Sequence, residues 1–327
     1  MRLLVISFLA TAALMSGCAT LTPVAEPTAP QLAAAQRAGV DTALLKTLLD
    51  KQLYQMSPTE AGRYIAFIHE AEPDFRMRVV TIGRKNIGQA YKLNLLGEYP
   101  FELHDNLPMF SLTESDCVVF AEHTYAMALS RSWEEFFWML QRIRYNRGVI
   151  GVTTRNHYTE LDWNVNNAWL VTDISGSLAG GRAAQYTMTV DRARFLKNRH
   201  KTDSNIPVQV ASETYVPVDM VAEIVAQLQA GDFVNVISTK DGEYWASHVG
   251  LVAIGSDGTR NFLNSREPIV IEETFEAFIK RTQERQQRNA AAGKNTMKLA
   301  GFKFLRLNDA PVVPPMAPQP RPGAVAN

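Results

Sequence analysis

The chain has 327 residues, with 33 Lys and Arg against 33 Asp and Glu, so its formal net charge is zero. A neutral chain without a commanding basic run gives no footing for nucleic-acid binding. Its length suits one large domain or two small ones, and its two cysteines exclude a disulfide-built scaffold. Both ends read as dispensable to a core. Met1-Arg2, an apolar run from Leu3 to Met15 and the small residues Ser16-Gly17 make a secretory signal over 1–17, too short to span a bilayer of about 20 apolar residues. Residues 18–30 are rich in Pro and small residues and read as a tether, and 309–327 as a disordered Pro-rich tail. That leaves 31–308 as the folded domain.

In chain order, Met15-Ser16-Gly17-Cys18 resembles the lipobox of bacterial lipoproteins. The resemblance implies cleavage before Cys18, lipidation of its sulfur and a membrane anchor. With Ala19 next, it also implies the periplasmic face of a Gram-negative outer membrane. The alternative is an ordinary signal peptide with an incidental cysteine. Residues 31–56 read as helical, and Ser57-Pro58-Thr59-Glu60 as the start of another helix. Arg76 to Leu96 is predicted helical, ending in the turn Gly97-Glu98-Tyr99-Pro100-Phe101. Thr113 and Asp116 resemble a capping box for a helix over 115–130. A further helix runs from Trp133 to Tyr145, with Phe136, Leu140 and Ile143 on one face. Residues 153–164 form a polar, aromatic loop, the kind of segment that holds substrates. From Gly231 the pattern turns to strands: 231–238, 247–254, 260–265 and 302–307. Helices first and strands later make an α+β protein.

If Cys18 is taken by lipid, Cys117 is left as a lone thiol in an oxidising compartment. It lies at a helix start, where partial positive charge and free N–H groups favour a thiolate. This makes it a candidate nucleophile, against the alternative of a small buried apolar side chain. Of the six histidines, His69, His104 and His200 sit in segments that read as surface. His123 falls on a different helix face from Cys117, and His157 belongs to the aromatic loop. His248 stands mid-strand beside Gly250. If Ser256-Asp257-Gly258 is a three-residue turn, Gly250 faces Asn264, and His248 and Asn264 share one sheet face within side-chain reach. Asn264 is then placed to fix the imidazole, while a one-residue slip would bring up Ser265 instead. A satisfied core histidine is the competing reading. No HxxxH, CxxC or GxSxG pattern is present, so neither a metal site nor a serine nucleophile is expected.

Asp116-Cys117-Val118-Val119-Phe120-Ala121-Glu122, Ile143-Arg144-Tyr145, Arg155-Asn156-His157-Tyr158 with Asp162-Trp163, Gly231-Asp232-Phe233-Val234 and Ser247-His248-Val249-Gly250 occur in this order. Together they resemble the DUF1460 family, an N-acetylmuramoyl-L-alanine amidase-like branch of the NlpC/P60 superfamily, over about 85–307. Where members carry a His-Ala-Ser-like segment, this chain has Leu263-Asn264-Ser265. The resemblance implies a papain-like α+β fold, with the nucleophile at a helix N-terminus packed on an antiparallel sheet. It implies a cysteine amidase that takes peptidoglycan or muropeptides and needs no cofactor or metal. Cys117 would attack, His248 move the proton and Asn264 orient it. Arg155, His157 and Tyr158 would line the substrate groove, and Asp116 would either hold a substrate amine or cap the helix. A stem-peptide endopeptidase and a non-catalytic wall-binding lipoprotein are the rival functions.

Overall fold

The structure is a computed structural model that describes residues 26–103 and 105–323. Cys18, the signal and most of the tether, and His104, lie outside the described residues. The helices are α1 (Ala29–Arg37), α2 (Thr42–Asp50), α3 (Pro58–Ala71), α4 (Phe75–Arg84), α5 (Cys117–Ala128), α6 (Trp133–Arg144), α7 (Asn164–Asn166), α8 (Ser175–Ala179), α9 (Arg192–His200), α10 (Val221–Ile224) and α11 (Phe275–Ala291). The strands are β1 (Ala90–Tyr91), β2 (Glu114–Ser115), β3 (Val171–Asp173), β4 (Ala184–Val190), β5 (Gln209–Pro217), β6 (Phe233–Lys240), β7 (Glu243–Ile254), β8 (Arg260–Arg266), β9 (Ile269–Thr274) and β10 (Lys298–Leu307). The strands form one mixed, mostly antiparallel sheet in the order β2-β1-β9-β8-β7-β6-β10-β5-β4, with β3 on β10.

Local sequence sets the element ends. Ser57 Oγ accepts from the Glu60 N–H at 3.3 Å while Glu60 Oε2 accepts from the Ser57 N–H at 2.8 Å, a reciprocal cap that starts α3. The long helix expected over 31–56 is broken because Gly39 turns left-handed at φ 66° and Asp41 caps a new helix. The helix expected to reach Leu96 stops at Arg84. Gly88 adopts φ 92°, and Ala90–Tyr91 joins the sheet beside β9 and β2. Helix α5 starts at Cys117 rather than 115: its cap is Asp116, and Glu114–Ser115 is strand.

Both sheet faces are covered. On one, Val249, Leu251, Ala253, Leu263 and Val270 pack under α1 to α6, with Phe120, Tyr125, Phe136 and Leu140 among the helical contributions. On the other, Val236, Val252, Phe262, Phe302 and Phe304 pack under α10 and α11 through Ile224, Phe275 and Phe278. This second layer explains why the central strand β6 is buried at six successive residues. The Pro-rich tail lies against the domain as far as residue 323. Ala317 N–H donates to Arg147 O at 3.0 Å, and Gln319 exchanges bonds with Gly148 O (2.7 Å) and Ile150 N–H (3.1 Å). A Pro-rich strand needs few internal backbone bonds, so a few anchoring side chains suffice to hold it against α6.

Candidate active site

Three segments build the site: the turn into α5, and the facing strands β7 and β8. Gly255 N–H bonds Thr259 O at 2.8 Å across the β7–β8 turn, and the ladder pairs Leu251 with Leu263. Continued by one step, that register sets Gly250 opposite Asn264. A Cβ on Gly250 would stand 2.7 Å from Leu263 O and 2.9 Å from Asn264 Cβ, so the close approach needs glycine.

His248 Nε2 and Asn264 Oδ1 are 2.9 Å apart. The Asn264 amide is itself oriented, since its Nδ2 donates to Phe262 O at 3.3 Å. With oxygen turned toward the ring, Nε2 carries the proton and Nδ1 keeps its lone pair, the tautomer a general base at Nδ1 requires. A register shift between β6 and β7, after Ala246, re-aims the strand at this point. Before it, Ala246 and Tyr244 pack with Ile237 and Tyr186; beyond it, the His248 ring lies against Phe262 (5.9 Å) and Phe278 (6.2 Å).

Cys117 is the first residue of α5 and half-buried. The Asp116 carboxylate accepts from the Val119 N–H at 2.8 Å, so of its two expected roles it performs the cap. The thiol packs on the α5 side of the sheet, where the backbone N–H groups of Val249, Val118 and Cys117 itself favour its ionised form. They do not prevail. Burial pushes the Cys117 thiol up to about 12, with the neighbouring Asp116 charge adding to the rise. Burial likewise pushes His248 down to about 4, opposed mainly by its bond to Asn264. The helix start alone led to expecting a thiolate; in the folded site desolvation outweighs the helix end, and the resting pair is thiol and neutral imidazole. No hydrogen bond joins the two side chains. They stand on opposite faces of β7: Val249, whose N–H faces the thiol, packs in the layer under α5, while the His248 ring packs with Phe262 and Phe278 in the layer under α11, so the structure does not bring the expected pair together.

One element of the site, Ser265, was seen from sequence only as the alternative to Asn264, and another, Tyr91, escaped the reading. Ser265 does point away from Asn264, but toward the approach to Cys117: its Oγ donates to Ser115 O at 3.0 Å. Ser115 Oγ stands 3.0 Å from Ser265 Oγ and 2.7 Å from Gln89 Oε1. These wholly buried groups tie β8 to the residues that precede the thiol. Tyr91 on β1 is pushed up to about 12 by burial first and then by nearby Cys117 and Asp116, which places it beside the nucleophile. Only the adjacency of Ser265 to Asn264 could have signalled either from sequence.

The expected substrate residues divide. Arg155 is held from inside: its guanidinium grips the fully buried Glu98 through Nε (2.6 Å) and Nη2, and reaches Asp105 at 3.1 Å. It is thereby answered by two carboxylates inside the protein. His157 donates from Nε2 to Val152 O at 2.7 Å and is pushed down to about 3 by burial, so it stays neutral. His157 and Tyr158 do line an open hollow, together with Tyr244, Trp245 and Ala246 of β7. Among the described residues no group of three or more His, Cys, Asp or Glu is arranged to hold a metal ion.

A family model described as N-acetylmuramoyl-L-alanine amidase-like (AmiA-like) matches residues 81–284. Among solved structures, the chain is similar to a DUF1460-family protein from Legionella pneumophila (TM-score 0.61, 19% identity, covering 79% of this chain and 96% of that one). It is also similar to an N-acetylmuramoyl-L-alanine amidase from Bacteroides uniformis (TM-score 0.55, 19% identity, 72% and 99%). A structure named as a putative xylanase from Bacteroides fragilis shares the fold at TM-score 0.50 and 20% identity, covering 69% and 99%. At these identities the likeness is one of fold. No curated protein sequence matches the chain.

Proposed function

The chain belongs to the AmiA-like, N-acetylmuramoyl-L-alanine amidase-like family, and from that premise we propose that it is a cysteine-dependent peptidoglycan amidase of NlpC/P60 type. The bond cut is the amide between the lactyl group of N-acetylmuramic acid and L-alanine. The observation that carries this reading is Cys117 as the first residue of α5, with the backbone N–H groups of Val249, Val118 and Cys117 itself at its thiol.

Because thiol and imidazole are both neutral at rest, the proton moves during attack. Cys117 Sγ bonds to the lactyl carbonyl carbon as its proton passes to His248 Nδ1, a transfer for which substrate binding must bring the imidazole and the thiol onto one side of β7. The Cys117 backbone N–H, at the first turn of α5, helps take the charge that develops on the carbonyl oxygen. His248 Nδ1 returns the proton to the alanine nitrogen as the C–N bond breaks, releasing the stem peptide and leaving a thioester. Water then adds to the acyl carbon, giving its proton to His248, and the thiol re-forms with a free lactyl carboxylate. Asn264 holds the ring through both half-reactions.

The lipobox-like start, outside the described residues, supports anchoring by Cys18 at the periplasmic face of the outer membrane, facing the wall. The test of function is the mass of the products from purified muropeptides. The amidase releases whole stem peptides with a free L-alanine amine. Stubs of peptide left on the sugar would assign an endopeptidase, and no release at all would assign a binding protein.

A further inference from the structure

Among the described residues three arginines are more than nine-tenths buried: Arg78, Arg142 and Arg144. Two of them are answered. Arg78 donates to Ala128 O (2.8 Å), Glu72 O (2.7 Å) and Pro73 O (3.3 Å), and Arg144 pairs with the Glu122 carboxylate at 3.0 Å. Arg142 on α6 is 5% exposed, yet among the described residues no carboxylate forms an ion pair with it. Its Nε donates to Pro314 O of the tail at 3.2 Å, and its Nη1 is buried without a partner. The guanidinium lies over the Trp169 ring at 5.4 Å, and Trp169 Nε1 beside it is a second buried donor without an acceptor. Burial pulls the Arg142 side chain down from its ordinary value, and no acid offsets the fall. A buried cation left in this state is costly, and such groups persist where an anion completes them. Arg142 also lines a hollow of about 470 Å³ between α6 and the tail. Leu129, Trp138 and Met139 form its apolar wall on one side, and Val313 and Met316 of the tail on the other. Trp138 and Val313 remain 36% and 40% exposed, so the hollow is open to solvent. Glu134 and Glu135 line it too, but they lie two turns earlier on α6, about 10 Å or more along the axis. Glu135 is moreover taken up by the Arg131 N–H at 2.7 Å.

We propose that this hollow is a binding site for a small organic anion, a carboxylate with an apolar body, whose charge pairs with Arg142 while its body lies against Trp138, Met139 and Val313. The hollow is built from α6, the turn before it and the tail, not from the segments that carry Cys117 and His248, so the inference is independent of the amidase reading. The lining selects the chemistry. A guanidinium binds a carboxylate in forked geometry. A bare inorganic anion would leave the apolar walls uncovered, and a neutral apolar molecule would leave the buried charge unanswered. An apolar pocket with one well-placed polar group is the usual form of a small-molecule site. Because Val313 and Met316 form one wall, the bound molecule also fastens the tail to α6.

The test is calorimetric titration of the whole protein with sodium hexanoate, hexanol and sodium acetate. Hexanoate should bind about tenfold or more tightly than hexanol, which lacks the charge, and than acetate, which lacks the body. Arg142→Met keeps an apolar side chain of similar length and should lose the preference for hexanoate over hexanol, while Arg142→Lys should keep part of it. Hexanoate should also raise the melting temperature of the wild-type protein but not that of Arg142→Met. Four results would overturn the proposal: no binding of hexanoate to the wild-type protein, equal affinity for hexanoate and hexanol, acetate binding as tightly as hexanoate, or wild-type affinity for hexanoate in a folded Arg142→Met protein. The first three are read on the wild-type protein alone, so they stand even if the methionine variant does not fold.

Discussion

Asn264→Ala removes the one side-chain acceptor that faces His248 Nε2. Asn264 is wholly buried and touches no solvent, so the loss is not repaired by bulk water. A buried donor left without its partner costs about 1–3 kcal/mol, and the freed ring is no longer held in the tautomer with its lone pair at Nδ1. If that cost falls on the transition state, each 1.4 kcal/mol is about tenfold, so kcat should drop roughly tenfold to hundredfold. It should not vanish, because Phe262 and Phe278 still flank the imidazole. KM should stay close to wild type, since Asn264 lies behind the ring. Steady-state rates on one purified muropeptide give both parameters. Asn264→Asp supplies the acceptor again with a negative charge, which favours the imidazolium, so the acid limb of its rate profile should move to higher pH. A kcat within twofold of wild type in a folded Asn264→Ala protein, or a change in KM alone, would refute an orienting role.

Ser265→Ala deletes the bonds to Ser115, so it should lower stability by about 1–2 kcal/mol. Calorimetric melting should show a fall of a few degrees, with a modest loss of kcat; unchanged melting would mean the tie is not felt. Gly250→Ala forces Leu263 O or Asn264 to give way and should destabilise by about 1–3 kcal/mol while cutting kcat, as read by melting and rates together. His248 must be neutral to accept a proton and sits at about 4, so kcat/KM should rise through that pH and be level at pH 6, where an ordinary histidine at about 6.5 would still be titrating. Cys117 at about 12 should react slowly with iodoacetamide at neutral pH in the absence of substrate; rapid alkylation there would contradict the neutral thiol.

What the sequence disclosed depended on how local the cause was. The β7–β8 hairpin was readable because Gly255-Ser256-Asp257-Gly258-Thr259 sets a register by counting, and the cap of α3 because Ser57 and Glu60 are three residues apart. Helix α9 and strands β4 and β5 were not readable, since they are brought beside the β6–β7 turn by tertiary pairing. The ion pairs of Arg155 were not readable for a related reason. A polar loop rich in aromatics looks like a binding surface, but the partners of this arginine, Glu98 and Asp105, are 57 and 50 residues away in sequence. The thiol was misjudged differently: a helix N-terminus can be seen in sequence, whereas the burial that outweighs it is created by β1, β7 and their neighbours.

Release of intact stem peptide from a purified muropeptide by the wild-type and Cys117→Ser proteins, followed by mass spectrometry, tests the nucleophile most directly. If Cys117 carries the acyl group, the wild-type protein yields stem peptides with a free L-alanine amine. The serine variant, folded to the same melting temperature, then yields none above background. Release by Cys117→Ser at the wild-type rate would contradict the cysteine mechanism.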